Sequence, residues 1–305
     1  MTQPLPKMSN AWIFLNEDEP QDAHKIGVPY DDPSSSYQRL ISKDVYNHVD
    51  ILFLCFAEIV PASGGGYTLQ IGHGEHPENA PDPTSTNQDY MNWIIRDARK
   101  QNPAIRISMT LGYGDPSMIN QIFDNGTGTA VEEAALFADN LVAFLDKHGL
   151  DGLDIDWEGE LVWGKFTPNG QIPGTTPANM TAFIQAVGAA FRAHSARKLW
   201  FTMGPNTAQN LDPVATNAYV DFLSLQLYGA ASKPEFTQAG IDENLLAYGA
   251  HFEPGSRAGA QTADQAYAGY SQGGYRVATA WRLNSGNFEH EQDAQVAFYK
   301  MVHAG

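Results

Sequence analysis

The sequence predicts an α/β chain closed into a single (β/α)8 TIM barrel. Eight short apolar runs alternate with segments of helical period, the order expected when strands and helices take turns along a chain. A length of 305 residues fits one large barrel, and 43% hydrophobic content is enough for a substantial core. The main rival, a doubly wound sheet, needs a glycine-rich phosphate turn leading into a helix. Gly64-Gly65-Gly66 is followed by no helical pattern, so the barrel is preferred.

Taken in order, residues 1–10 form an N-terminal tail and the barrel domain spans 11–305. Ala11 to Leu15 is the first strand, apolar throughout because a parallel barrel strand is buried on both faces. Residues 16–36, rich in Asp, Pro and Ser, read as loop, and Tyr37 to Asn47 as a weak helix. Val49 to Ala57 is the second strand. Pro61 to Asp89 is a surface excursion or a substrate-binding insertion. Tyr90 to Gln101 is helical and stops before Pro103, and Ile105 to Leu111 is the third strand. A helix over Thr129 to Lys147, closed by Gly149, feeds the fourth strand. Helix Thr181 to His194 leads to the fifth strand, Leu199 to Met203, which places Asn206 at the rim. Leu223 to Tyr228 is the sixth strand, on which Gln226 and Tyr228 share a face. Leu245 to Phe252, Tyr275 to Trp281 and the helices Ala263 to Ser271 and Glu291 to Val302 complete the set.

A net charge of −17 argues against nucleic acid and anionic membranes as partners and is compatible with a neutral one. Cys55 is the only cysteine, so no intrachain disulfide can form and a buried, inert thiol is expected. No apolar signal segment occurs over Met1 to Asn10 and no run is long enough to span a membrane, so the chain is made without a signal or the signal is missing. Asn125-Gly126-Thr127 and Asn179-Met180-Thr181 are glycosylation patterns without meaning unless the chain is secreted. His73, Glu75 and His76 lack a third strong ligand at a recognisable spacing, so no metal is expected.

The fourth strand is the unusual one. Leu153, Ile155 and Trp157 alternate with Asp154, Asp156 and Glu158, a period of two that gives one apolar and one acidic face. Three carboxylates in line repel one another and add no strand propensity, so a merely solvated face is a poor explanation. An EF-hand start is excluded by Lys165 where the bidentate Glu should stand. Same-face neighbours lie roughly 6.6 to 6.8 Å apart, so Asp156 can turn toward Asp154 or Glu158. A nearby carboxylate raises the pKa of Glu158 and leaves it able to donate a proton, while Asp156 stays ionised or shares a proton with Asp154. Glycoside hydrolysis needs that division of labour.

Asp151-Gly152-Leu153-Asp154-Ile155-Asp156-Trp157-Glu158 resembles, at every fixed position, the D-G-x-D-x-D-x-E signature of glycoside hydrolase family 18, the chitinases and endo-β-N-acetylglucosaminidases. Thr110-Leu111-Gly112-Tyr113 is similar to the family's S-x-G-G with two changes, and Tyr113 either narrows the site or is simply a strand-end Tyr. Gln226-Leu227-Tyr228 resembles its Q-x-Y, and Trp281 matches the Trp that floors the subsite of the reacting sugar. The resemblance implies substrate assistance: the 2-acetamido oxygen attacks its own anomeric carbon while Glu158 protonates the leaving oxygen. Asp156 would hold the acetamido N–H, Asp154 would support Asp156, and Tyr228 would bond the acetamido carbonyl. Asp151 and Gly152 would be structural. Trp163, in the loop after the acid strand, is a candidate sugar platform or simply loop packing. The implied protein is an endo-acting retaining hydrolase of β-1,4-linked N-acetylglucosamine, working as a monomer on a carbohydrate, without cofactor or metal. The alternatives are an endoglycosidase cutting the diacetylchitobiose core of N-glycans and a non-catalytic chitin-binding lectin.

Overall fold

The computed structural model describes residues 4–16, 28–71, 82, 84–112, 119, 121–123, 128–157, 177–208, 211–229, 231–254 and 259–304. Its strands and helices are β1 (Met8–Phe14), α1 (Ser36–Ser42), β2 (Ile51–Pro61), β3 (Tyr67–Ile71), α2 (Asn87–Gln101), β4 (Arg106–Leu111), α3 (Ala130–His148), β5 (Gly152–Ile155), α4 (Pro177–Ala193), β6 (Trp200–Met203), α5 (Pro213–Tyr219), β7 (Phe222–Leu225), α6 (Lys233–Gln238), β8 (Leu246–His251), α7 (Ala263–Gln272), β9 (Val277–Trp281) and α8 (Phe288–Ala304). The strand order is β1-β9-β8-β7-β6-β5-β4-β2-β3, and β1 also pairs with β2. Eight parallel strands therefore close a barrel, and β3 is an antiparallel addition to β2 outside it.

Strand parity divides the core into two layers. Ala11, Ile13, Leu153 and Ile155 join Phe137, Leu141, Phe183 and Val187 of the helices in one apolar cluster. Met8, Trp12, Phe14, Phe53, Trp200 and Phe222 form a second cluster on the opposite strand faces, which fills the barrel interior. Every barrel strand is thus covered on both sides, which explains its near-continuous apolar sequence. Helix α3 sets up the acid strand: Thr129 and Glu132 form a capping box at its start, and Gly149 ends it at φ 67°, a left-handed conformation that glycine adopts without strain.

Several boundaries differ from those expected. β1 begins at Met8, because the buried polar side chains of Ser9 and Asn10 face partners across the chain and hide the strand from an apolar pattern. β2 extends to Pro61 and turns through Ala62 to Gly66 into β3, within the stretch expected to be a surface excursion or a substrate-binding insertion. Buried Leu69 and the bonds from Asn140 Nδ2 to the carbonyls of Gly65 and Tyr67 tie this hairpin to α3. α1 stops early because Asp44 turns left-handed at φ 59°. β7 ends at Leu225, and Leu227 to Gly229 form a turn, so Gln226 and Tyr228 do not share a strand face. The short α5 is started by Asp212 and Pro213, a local signal too brief to stand out.

Candidate active site

The acid strand owes its geometry to pairing on both sides. β5 is hydrogen-bonded between β4 and β6, and the pairing continues past its end: Asp156 N donates to Leu111 O at 3.2 Å and Trp157 N to Gly204 O at 3.1 Å. Asn206 N then returns a 3.3 Å bond to Trp157 O, which puts this half-buried residue beside the end of the acid strand. Trp157 is fully buried in the outer apolar layer, so parity turns Asp154 and Asp156 the other way, toward the barrel axis.

Asp154 is completely buried and accepts from Trp12 Nε1 at 2.9 Å, Thr110 Oγ1 at 3.1 Å and Thr202 Oγ1 at 2.6 Å. Burial pushes its pKa up, and the Thr202, Trp12 and Thr110 bonds oppose that shift. Asp156, one step nearer the mouth, is only half-buried. Gln226 Nε2 donates to its Oδ1 at 2.9 Å and to Gly204 O at 3.1 Å, which locks the amide between two acceptors. An inner carboxylate is thus fixed and closed off, and an outer one is held in place with part of its surface open to a ligand.

The opposite wall is aromatic. Trp281 ends β9 and lies 5.8 Å from Trp12, 5.5 Å from Phe14 and 6.3 Å from Phe56 between ring centroids. Its Nε1 donates to Glu253 Oε2, and Arg282 Nη2 donates to Glu253 Oε1. The peptide bonds Cys55–Phe56 and Trp281–Arg282 are cis. Tyr228 lies beside His251, with ring centroids 4.7 Å apart. Burial lowers the His251 pKa, against the raising effects of Glu253 and a hydrogen bond from the ring to the Gly259 backbone.

Asp154, Asp156, Gln226, Tyr228, Asn206 and Trp281 thus belong to one end of the barrel. Gly112, whose N–H bonds Ala57 O at 3.2 Å, lies at the same end. Asp151 lies at the other end, where it takes Ile107 N–H at 2.9 Å and Arg99 at 3.1 Å. A Cβ on Gly152 would stand 2.2 Å from Trp200 O, so β5 and β6 approach through this glycine. Glu158, Tyr113, Trp163, His73, Glu75 and His76 lie outside the described residues. Among the described residues no group of three His, Cys, Asp or Glu could hold a metal ion.

Sequence reasoning missed Trp12, Thr202, His251, Glu253 and Arg282, and took Thr110 as part of a strand-end motif without its bond to Asp154. Trp12 read as one more apolar strand residue, although a buried indole N–H calls for an acceptor. Glu253 had a signal: a lone acid at the end of an apolar strand faces the functional mouth of a barrel.

The solved structures with similar folds share little sequence with this chain. A class V chitinase from Nicotiana tobaccum superposes with TM-score 0.64 at 14% identity, covering 97% of this chain and 99% of that one. A chitinase-like agglutinin from Robinia pseudoacacia gives 0.58 at 14%, covering 87% and 95%. Human YKL-39, described as a pseudo-chitinase with retained chitooligosaccharide binding, gives 0.60 at 11%, covering 98% and 100%. No curated protein matches the sequence. These likenesses concern the fold alone, which is chitinase-like; sequence speaks through the profile of glycosyl hydrolases family 18, which matches residues 28–278 and so takes in both inward carboxylates, Gln226 and Tyr228. By that match the chain belongs to glycoside hydrolase family 18.

Proposed function

We propose that this protein is an endo-acting, retaining hydrolase of β-1,4-linked N-acetylglucosamine, chitinase-like in its substrate. The observation that carries the reading is the pair of inward carboxylates: Asp154 anchored by three donors, and Asp156 half-buried and held by Gln226. Glu158 follows two residues after Asp156 and acts as the acid, protonating the leaving oxygen as the glycosidic bond breaks. The 2-acetamido oxygen closes onto the anomeric carbon to form an oxazolinium, whose N–H is held by Asp156. Water, deprotonated by Glu158, then opens the ring from the original face, with net retention. Tyr228 bonds the acetamido carbonyl, and Trp281 supports the apolar face of the reacting sugar.

A lectin is the second reading, favoured by the agglutinin and the pseudo-chitinase among similar folds. Retention of an acid at Glu158 weighs against it. The deciding experiment measures product release from chitotetraose and from a high-mannose glycopeptide, using wild type, Glu158→Gln and Asp156→Asn. The expected result is cleavage of chitotetraose by wild type and a loss of roughly 10²- to 10⁴-fold in Glu158→Gln with binding retained. Release of glycans that leave one N-acetylglucosamine on the peptide would reassign the substrate, and binding without any cleavage would make the protein a lectin.

A further inference from the structure

We propose that Glu253 is a positioning residue that fixes the rotation of the Trp281 indole and so keeps one ring face presented to the bound sugar. This rests on the sugar-binding reading of the site given above. The two residues come from neighbouring strands: His251 of β8 is in register with Trp281 of β9, and both Phe252 N and Glu253 N point at the Trp281 carbonyl, at 2.7 and 3.4 Å. Glu253 is therefore tied to the backbone of the residue whose side chain it holds.

The side chains then close a ring of contacts. Trp281 Nε1 donates to Glu253 Oε2 at 2.5 Å, and Arg282 Nη2 donates to Oε1 at 2.9 Å. The Arg282 side chain is 1% exposed, and its guanidinium lies 3.9 Å from the centroid of Phe14, which in turn meets Trp281 edge-on. A cation so deeply buried needs an anion, so Arg282 dictates where the carboxylate sits. An indole has a single N–H and no acceptor, so one directed bond at the far end of the ring sets its rotation. Apolar packing alone would leave Trp281 free to tilt at the mouth, where it is half-exposed.

Glu253→Gln separates this role from plain stability. The two donors meet different carboxylate oxygens, so in this variant only one of them faces an oxygen; the charged guanidinium takes it, which leaves the indole N–H facing an amide NH2 without its acceptor. Chitotetraose affinity would be measured in a Glu158→Gln parent, which does not consume the ligand, for Glu253→Gln, Trp281→Phe and the double variant. Trp281→Phe keeps a ring and the Arg282–Glu253 pair but removes the N–H. The expected result is an affinity loss of about tenfold for Glu253→Gln alone and little further loss in the Trp281→Phe background, because both act through one bond. The emission of Trp281, obtained as the difference between each protein and its Trp281→Phe counterpart, is expected to shift in Glu253→Gln. A lowered thermal midpoint with unchanged affinity, or losses that simply add, would overturn the proposal. If the parent binds no chitotetraose, the sugar reading fails instead; the clamp is then upheld by a shifted Trp281 emission and overturned by an unchanged one.

Discussion

Asp154 is a buried carboxylate whose three side-chain donors come from three other strands, β1, β4 and β6. Its substitutions are unequal for that reason. In Asp154→Asn the amide oxygen still takes Trp12 and Thr110, while the amide nitrogen faces the Thr202 hydroxyl, which can accept. Asp154→Ala orphans a buried indole N–H that cannot turn elsewhere, whereas the threonine hydroxyls can rotate. Urea unfolding is expected to show a loss of about 3 kcal/mol for Ala and about 1 kcal/mol for Asn. Equal losses would mean that the donors are not held by this carboxylate. Asp154 was legible in the sequence because three acids repeat at period two. Trp12 was not, because its acceptor lies 142 residues away and its own neighbourhood is uniformly apolar.

At the level of elements, the barrel closes where strands come close without side chains between them. A Cβ on Gly249 of β8 would lie 1.9 Å from the Leu225 carbonyl oxygen of β7, and the obstacle is backbone, which cannot rotate away. Gly249→Ala is therefore expected to cost about 2 kcal/mol or more, while Gly64→Ala, with nothing within 4 Å of its added methyl, stays within about 0.5 kcal/mol. Comparable thermal midpoints for the two variants would contradict the close approach. Neither glycine announces which kind it is in the sequence. The strands themselves were readable because burial on both faces makes them apolar, and α3 because its capping box and terminal glycine bracket it. The hairpin strand β3 was hidden inside a stretch rich in Gly and Pro, and the turn after β7 was hidden by the apolar Leu227. The hairpin is tied down by Asn140 of the distant α3, whereas the turn closes through local bonds from Leu227 N to Leu225 O and from Gly229 N to Gln226 O.

Across the whole molecule, two opposing effects govern how stability responds to acid. Lowering the pH reduces a net charge of −17 and with it the self-repulsion of the fold. Against this, His148 and His251 are held below their ordinary value of 6.5, both chiefly by burial, with Lys147 assisting at His148 and Glu253 opposing at His251. A histidine with a depressed folded pKa binds protons more readily when unfolded, so its contribution is complete above about pH 6.5 and is lost as pH falls toward the folded value. Asp82, Asp97 and Asp146, whose folded pKa values lie below 3.8, lose their contributions only at still lower pH. Asp154, raised by burial, acts in the opposite sense and gives up stability as pH rises through its folded value. Salt separates the terms, because about 0.15 M screens long-range repulsion over roughly 8 Å but leaves buried rings unaffected. At that ionic strength the free energy of unfolding is expected to fall as the pH drops below about 6.5, and His148→Gln together with His251→Gln is expected to flatten that decline. A slope unchanged in the double variant would assign the acid sensitivity to groups other than these two histidines.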